Sequence, residues 1–254
     1  MKPAALAVAS LALALACATA LAETFTRSDD IGSNPVRGEI HEKLAVDAGE
    51  RIEAHGLGGS VEVAGADARE VRIDYRRSAA SQQDYDCEKL RYEHSGGALR
   101  IWMERERSRA CRSIHAGDSL KLTVPRQAEV SLDEIGDSVS ITAVEGMVRL
   151  SSIGDTATLD GVGQLRADSI GDRLEMKLKK LGPAGIRVDS VGDSVELRLD
   201  GEVGARLKID SVGGDVTGAD LHLSSLGGSF ETVLGAGGPT ISISSVGDDV
   251  VIRR

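Results

Sequence analysis

A short turn motif recurs along the second half of the chain, and this repeat limits the possible folds more than any other feature. The sequence Asp-Ser-Ile/Val-Gly-Asp/Gly occupies Asp168–Asp172, Asp189–Asp193 and Asp210–Gly214. Weaker copies share the glycine and are centred on Gly136, Gly154, Gly227 and Gly247. Successive central glycines are 18, 17, 21, 21, 14 and 20 residues apart, which is too uneven for helical repeats of fixed length. The motif therefore predicts an all-β fold, a β-solenoid similar to a parallel β-helix, with short strands joined by Gly/Asp turns.

Alternating apolar and polar residues flank each turn. Residues 185–189 alternate before one turn, and residues 195–199 alternate after it. A period of two residues places one face of a strand in the core and the other in water. The apolar positions that precede the turns are all aliphatic: Val148, Leu150, Leu165, Ala167, Ile186, Val188, Leu207, Ile209, Leu221, Leu223, Ile241 and Ile243. We therefore expect a continuous aliphatic core built from stacked repeats.

The polar positions of the same strands form columns of charge. Neighbouring strands lie about 4.8 Å apart, so a column of aspartates alone would repel by roughly 1 kcal/mol per neighbouring pair. A basic column beside the acidic one offsets this repulsion. The predicted structural charge ladder consists of Arg166, Asp168, Arg187, Asp189, Lys208 and Asp210. We interpret these carboxylates as structural and not catalytic.

A second acidic column lies just after the turns and has no basic column aligned with it. Its members are Asp137, Asp155, Asp172 and Asp193. Stacked carboxylates can bind Ca²⁺, which takes several oxygen ligands, so this column is a possible metal site. Ordinary turn chemistry, in which Asp accepts hydrogen bonds from nearby backbone groups, is the simpler interpretation. No other cofactor is indicated.

The amino-terminal segment has the features of a secretory signal peptide. Lys2 precedes an uncharged apolar stretch over residues 4–20, and Ala20 and Ala22 are small residues suited to cleavage after Ala22. Cys17 offers an alternative lipoprotein processing site, but the residue three positions before it is not the usual leucine. We expect a periplasmic or secreted protein with no transmembrane segment in the mature chain.

Cleavage at this site leaves only Cys87 and Cys111 in the mature chain. Two cysteines in an exported domain usually pair, and a disulfide closing a loop of this size contributes about 3 kcal/mol. His94 and His115 lie near the cysteines in sequence and leave metal binding as an alternative. Their spacing matches no standard zinc motif, so the disulfide is the favoured prediction.

The remaining chain divides into a short linker over residues 23–37, an irregular β region over residues 38–125 and regular repeats over residues 126–254. The irregular region is expected to cap the amino-terminal end of the solenoid, because an open end leaves a free strand edge. It also holds most of the aromatic and histidine residues and the predicted disulfide. Any binding site is therefore expected in this amino-terminal half, and deletion of residues 78–116 would test that expectation.

The composition favours a binding or scaffolding role. The formal net charge is −10, which argues against nucleic-acid binding. No spacing suggests a Ser-His-Asp or Cys-His arrangement, so we expect a non-enzymatic protein whose partner is an envelope protein, a cell-wall polymer or a second copy of itself. The alternatives are a polysaccharide-active β-helix enzyme, which would use its aspartates for acid/base chemistry or Ca²⁺ binding, and a calcium-binding solenoid.

Several of these features together resemble the bacterial "putative adhesin" β-strand-repeat domains, a family of unknown function. The resemblance rests on residues 55–63, on Leu122–Pro125 before the repeats, and on the serial Ser/Asp-Ser-Ile/Val-Gly-Asp turns. It covers roughly residues 38–254. It implies a β-solenoid in the cell envelope or outside the cell, and it implies no catalytic residues.

Overall fold

The protein is described by a computed structural model covering residues 24–26, 36–218, 221–224 and 228–253. The predicted signal peptide, with Cys17 and Ala22, lies outside the described residues, as does the motif glycine Gly227. Within the described residues the fold is all-β, as predicted, apart from two short helices. No helix in these residues is long and apolar enough to cross a membrane.

Strands of the first half are longer and less regular than those of the second. They are β1 (Thr24–Thr26), β2 (Val36–Ala45), β3 (Arg51–His55), β4 (Ser60–Ala66), β5 (Glu70–Ala79), β6 (Glu88–Ser95), β7 (Ala98–Arg105) and β8 (Ala116–Pro125). Helix α1 (Gln82–Asp86) follows β5, and a 3₁₀-helix (Arg109–Cys111) follows β7.

Short strands make up the second half, two for each complete copy of the turn motif. They are β9 (Glu129–Ile135), β10 (Val139–Thr142), β11 (Val148–Ile153), β12 (Ala157–Asp160), β13 (Leu165–Ile170), β14 (Leu174–Leu178), β15 (Ile186–Val191), β16 (Val195–Leu199), β17 (Ala205–Val212), β18 (Asp215–Gly218), β19 (Leu221–Ser224), β20 (Phe230–Leu234), β21 (Thr240–Val246) and β22 (Val250–Arg253).

The strands form two mixed sheets, one of 12 strands and one of 10. The order in the larger sheet is β1-β2-β5-β8-β4-β10-β12-β14-β16-β22-β18-β19. The order in the smaller sheet is β20-β17-β21-β15-β13-β11-β9-β3-β7-β6. From β9 to β18 the chain alternates between the sheets, so each motif turn carries it from the smaller sheet to the larger one.

The predicted β-solenoid is wrong, and the two mixed sheets form a sandwich instead. A solenoid would place every repeat beside its predecessor in one parallel winding. Here β21 lies between β15 and β17, and β22 lies between β16 and β18, so the last repeat separates two that are adjacent in sequence. In addition, the outermost pair of strands at each edge of each sheet is antiparallel. The turn motif specifies strands and a bend, but it does not specify which strand becomes the neighbour.

Aliphatic side chains from both sheets share one core. Of the inward positions predicted before the turns, all those from Val148 to Ile209 are buried, as are Ile241 and Ile243. Leu223 is half-buried against the same core, whereas the side chain of Leu221 lies outside the described part. Burial of this apolar area is the main force that holds the sheets together.

Candidate functional site

Helix α1 begins the least regular part of the molecule, the connection between β5 and β8. Ser81 caps the helix, and its hydroxyl accepts a hydrogen bond from the backbone N–H of Asp84 at 3.1 Å. Tyr85 is the buried residue of this helix. Its ring packs over Gly38 of β2, where an added Cβ would collide with the Tyr85 hydroxyl. The absence of a side chain at Gly38 therefore lets α1 lie against the larger sheet.

A disulfide ties this helix to the loop that follows β7. Cys87, directly after α1, is bonded to Cys111, which confirms the predicted pairing, and the two Cα atoms are 5.5 Å apart. Gln83 Nε2 donates to the carbonyl oxygen of Ala110 at 3.2 Å and holds the same loop. Both sulfurs are buried and joined to each other, so they are not available as thiolate ligands for a metal.

The loop fixed by this disulfide is rich in arginine. Residues 105–112, here called the arginine loop, contain Arg105, Arg107, Arg109 and Arg112 with a single acidic residue. They line an open depression of about 590 Å³. Arg105 donates to the carbonyl oxygen of Cys111 at 3.2 Å and lies 3.6 Å from Glu88. Arg107, Arg109 and Arg112 are exposed and pair with no carboxylate of the described residues.

Beneath the loop, a buried ion pair anchors the start of β6 to β5. The Arg77 side chain is only 3% exposed, and its Nη2 donates to Glu88 Oε2 at 2.9 Å and to the carbonyl oxygen of Asp84 at 3.3 Å. The guanidinium also lies 6.0 Å from the centre of the Tyr85 ring. Since Glu88 contacts both Arg77 and Arg105, the buried pair is linked directly to the arginine loop.

Two ionisable groups beside Arg77 have altered pKa values. Burial raises the pKa of the Asp118 carboxyl, and the nearby charge of Glu88 adds to the rise, although the Gly59 N–H and Arg77 act against it. Burial and the Asp118 charge raise the pKa of the Tyr75 hydroxyl well above its usual range. The Tyr75 hydroxyl lies 3.5 Å from Asp118 Oδ2 and 3.6 Å from Met103 Sδ. Tyr75 is buried and Asp118 and Met103 are half-buried, so these contacts join β5, β7 and β8.

The residues of the predicted charge ladder lie on the outer face of the smaller sheet. Arg187 pairs with Asp189 at 2.9 Å and Lys208 pairs with Asp210 at 3.1 Å, each along its own strand. Asp168 accepts a hydrogen bond from the Ser151 hydroxyl at 3.0 Å. In the cross-strand register Arg166 is beside Arg187, but Ser242 of β21 lies between Arg187 and Lys208. The ladder is therefore interrupted where β21 is inserted.

The acidic column lies along the corner between the two sheets. Backbone hydrogen bonds join Asp172 to Asp155 at 3.2 Å and Asp193 to Asp172 at 2.9 Å. The side chains of Asp155 and Asp193 accept hydrogen bonds from the next residues, Thr156 and Ser194. No group of three or more His, Cys, Asp or Glu side chains in the described residues, Asp137 included, is close enough together to hold a metal ion.

The histidines near the cysteines in sequence lie apart from the disulfide. His94 Nε2 is 2.5 Å from Oε1 of the buried Glu50. The other Glu50 oxygen, Oε2, accepts a hydrogen bond from the Asp47 N–H at 2.9 Å. His115 is exposed, and its carbonyl oxygen accepts from the Ala80 N–H. The arginine loop lies in the amino-terminal half, where a site was expected, but the sequence patterns did not single out its arginines, although their close spacing in an acidic chain is visible.

Comparison with known proteins gives weak structural similarity only. No family model matches the chain, and no curated protein matches it. A "putative cell adhesion protein" from Clostridium sporogenes aligns with a TM-score of 0.42 and 8% identity, covering 85% of this chain and 99% of that one. A "putative adhesin" from Bacteroides fragilis aligns with a TM-score of 0.25 and 13% identity, covering 85% and 97%. A "putative lipid binding protein" from Parabacteroides distasonis aligns with a TM-score of 0.27 and 12% identity, covering 85% and 97%. The first two names match the family that the sequence resembles.

Proposed function

We propose that this chain is a non-enzymatic binding module of the cell envelope, and that its arginine loop attaches to the phosphate groups of an anionic membrane surface. The observation that supports the proposal is the unpaired positive charge of this loop. Three exposed arginines without carboxylate partners in the described residues stand on a loop that a disulfide holds in place. Guanidinium groups bind phosphate oxygens through paired N–H donors, which suits them to such a surface.

Unlike these three, most other arginines of the described residues lie beside a carboxylate. Arg149, Arg187 and Arg198, on the outer faces of the sheets, each lie within 3.0 Å of a carboxylate oxygen. A paired arginine has less attraction left for an external anion. The arginine loop is therefore the part of the described surface where positive charge is concentrated and available.

The expected strength of membrane binding follows from the number of available arginines. A basic side chain at an anionic membrane surface contributes about 1 kcal/mol, so three arginines contribute about 3 kcal/mol, or roughly 100-fold in affinity. The chain as a whole has a formal charge of −10, which opposes binding. Charges farther than about 8 Å from the surface are screened at physiological salt, so the loop outweighs the distant acidic faces.

The non-enzymatic part of the proposal is supported by how the ionisable side chains are used. His41 bonds to Asp74 at 2.7 Å and His94 bonds to Glu50, so both histidines are held by carboxylates. In the turn motif, Asp189 bonds to Arg187 of its own strand and Asp193 to Ser194 of its own turn, whereas Asp168 bonds to Ser151 of the neighbouring strand. These contacts are typical of structural ion pairs on a sheet surface.

Vesicle co-sedimentation tests the proposal with the mature chain, residues 23–254. We expect binding to vesicles that contain phosphatidylglycerol and not to vesicles of phosphatidylcholine alone. The triple variant Arg107→Ser/Arg109→Ser/Arg112→Ser should lose most of this binding, by roughly 100-fold. Raising the salt concentration should weaken binding of the unaltered chain.

The matched control removes the same charge elsewhere. Arg149→Ser/Arg187→Ser/Arg198→Ser should bind the vesicles almost as well as the unaltered chain. Equal losses in the two triple variants would mean that total charge, and not the loop, drives binding. Binding of soluble polyphosphate but not of anionic vesicles would also overturn the proposal, because the target would then be a polymer and not a membrane.

A further inference from the structure

Besides the depression at the arginine loop, the protein has a second concave surface. It lies at the corner opposite the motif turns, where the loops that return from the larger sheet to the smaller one are stacked. This corner cavity has a volume of about 570 Å³. Small-molecule sites commonly have volumes of about 300–1,000 Å³. The side chains that matter for its chemistry are Arg126, Glu145, Asp160, Gln164, Lys180 and Leu181.

The cavity exists because one of the stacked loops is longer than its neighbours. The β12–β13 connection is residues 161–164, whereas the β14–β15 connection is residues 179–185. The longer loop lies over the shorter one: the Gly182 N–H donates to the carbonyl oxygen of Gly163 at 2.9 Å, and the Ala184 N–H donates to Gln164 Oε1 at 3.4 Å. The overhanging loop forms one wall of the cavity.

The close contact between these loops depends on glycine. A Cβ on Gly182 would collide with the Gln164 side chain, and a Cβ on Gly163 would lie 2.7 Å from the carbonyl oxygen of Lys180. Gln164 is held in turn by a bond from its Nε2 to the carbonyl oxygen of Glu145 at 3.3 Å. The wall is therefore braced by hydrogen bonds across three successive corner loops.

Three charges that line the cavity are already neutralised: those of Arg126, Lys179 and Asp160. Arg126 pairs with Asp67 at 2.9 Å. Lys179 Nζ lies 3.1 Å from Asp160 Oδ1, which is buried but receives no hydrogen bond from the described residues. Asp160 is therefore balanced in charge and still has capacity to accept a hydrogen bond.

Two other charges in the cavity have no partner among the described residues. The Lys180 and Glu145 side chains are exposed and take part in no ion pair there. The half-buried Leu181 packs against the core beside Lys180 and supplies an apolar surface with Pro183. The cavity thus combines one available cation, Lys180, two available hydrogen-bond acceptors, Glu145 and Asp160, and an aliphatic wall.

We propose that the corner cavity binds a short acidic glycan through a uronate unit. The uronate carboxylate is bound by the Lys180 ammonium, sugar hydroxyls donate to Glu145, and the C–H face of the ring packs on Leu181. A charge-assisted hydrogen bond to the carboxylate is stronger than one to a neutral group, which offsets the lack of an aromatic platform in this lining. This site is separate from the arginine loop and does not depend on membrane attachment.

Titration calorimetry of the mature chain with digalacturonate, and with neutral galactobiose as comparison, tests this proposal. We expect digalacturonate to bind and galactobiose to bind at least tenfold more weakly. Lys180→Gln should weaken digalacturonate binding by about tenfold, the loss of one charge-assisted hydrogen bond. Lys177→Gln removes the same charge from the exposed face of β14 and should leave binding unchanged.

Amide NMR spectra locate the ligand independently of the variants. The amides of Gly161, Gly163 and Gly182 should shift on addition of digalacturonate, whereas those of the arginine loop should not. The proposal is overturned if digalacturonate does not bind at millimolar concentration, if galactobiose binds equally well, or if Lys180→Gln and Lys177→Gln bind it equally. Shifts confined to the arginine loop would overturn it too and would leave the membrane proposal standing.

Discussion

At the scale of single residues, burial matters more than charge alone. Asp118 and Asp168 are both aspartates that lie on strands. Burial raises the pKa of Asp118, whereas Asp168 is exposed and accepts a hydrogen bond from Ser151. Sequence alternation could predict the exposed face of β13, where Asp168 lies. It could not predict that β8 would bring Asp118 close to Tyr75 and Glu88, because that contact joins segments far apart in sequence.

The raised pKa of Asp118 predicts a measurable pH dependence of stability. The pKa lies above its ordinary value of 3.8, so the folded state binds more protons than the unfolded chain just above that pH. The stabilising contribution is therefore complete below pH 3.8 and is lost as the pH rises through the folded pKa. Asp118→Asn cannot ionise and should lack this decline, so its stability relative to the unaltered chain should increase from pH 3.5 to pH 7.

Urea denaturation over this pH range measures the effect. The unaltered chain, measured at the same pH values, is the reference. A profile of Asp118→Asn that runs parallel to the unaltered chain throughout would contradict the assignment of a raised pKa to this carboxyl.

At the scale of elements, the turn motif is explained by contacts between stacked turns. In the copies that the structure describes, the central glycine has no positive φ, so a left-handed backbone does not explain it. The structure provides a different reason: a Cβ on Gly171 would collide with the carbonyl oxygen of Gly154, and one on Gly192 would collide with that of Gly171. The Gly171 N–H donates to the Ile153 carbonyl at 2.8 Å, which draws the two turns this close together.

Replacing a motif glycine with alanine should therefore lower the free energy of unfolding, even though the backbone angles permit a side chain. Gly171→Ala forces two backbone segments apart, and overpacking of this kind costs about 1–3 kcal/mol or more. Gly201→Ala is the matched control, because its Cβ would meet nothing within 4 Å. Chemical denaturation should show a loss for Gly171→Ala only; a similar effect of both changes would point to chain entropy and not to the close contact.

Helix α1, which the Cys87–Cys111 disulfide joins to the arginine loop, is the element that sequence patterns predicted least well. Helix α1 forms at residues 82–86 because Ser81 caps it and Tyr85 is buried against Gly38 of β2. The Ser81–Asp84 spacing is a capping signal, but a helix this short is stable only through tertiary packing. The disulfide itself was predictable from compartment and cysteine count.

Removing this disulfide should affect stability and binding together. Cys87→Ser/Cys111→Ser opens a connection with a sequence separation of 24 and should lower the free energy of unfolding by about 3 kcal/mol. The arginine loop then loses its fixed position, so affinity for phosphatidylglycerol vesicles should fall while the sheets remain folded. Denaturation curves and vesicle co-sedimentation of the same variant check both effects. Unchanged vesicle binding would show that the loop needs charge but no fixed shape.

At the scale of the whole molecule, the insertion of the last repeat distinguishes the sandwich from a simple stack. Strand β21 pairs with both β15 and β17, and β22 pairs with both β16 and β18. In a stack that followed sequence order, the last repeat would contact one neighbour only. Here it connects two groups of strands, so the carboxyl-terminal segment stabilises regions well before it in the chain.

Deleting residues 239–254 should consequently expose strands on both sides. We expect the amides of β17 and β18 to lose protection in hydrogen exchange, since they lose their parallel partners, while those of β9 and β11 stay protected. The unaltered chain measured under the same conditions is the reference. Full protection of β17 in the shortened chain would contradict the observed strand order.

By itself the sequence determined the all-β class, the positions of the strands around each turn, the inward aliphatic residues such as Ile186 and Val188, and the disulfide. These properties depend on local periodicity, on turn chemistry and on the number of cysteines, all of which can be recognised in the sequence alone. Only the tertiary structure decided the order of strands, the sandwich, the burial of Asp118 and the exposed state of Arg107. The physical reason is that backbone hydrogen bonding between strands is nearly independent of sequence, so the choice of neighbour depends on connections and free edges throughout the fold.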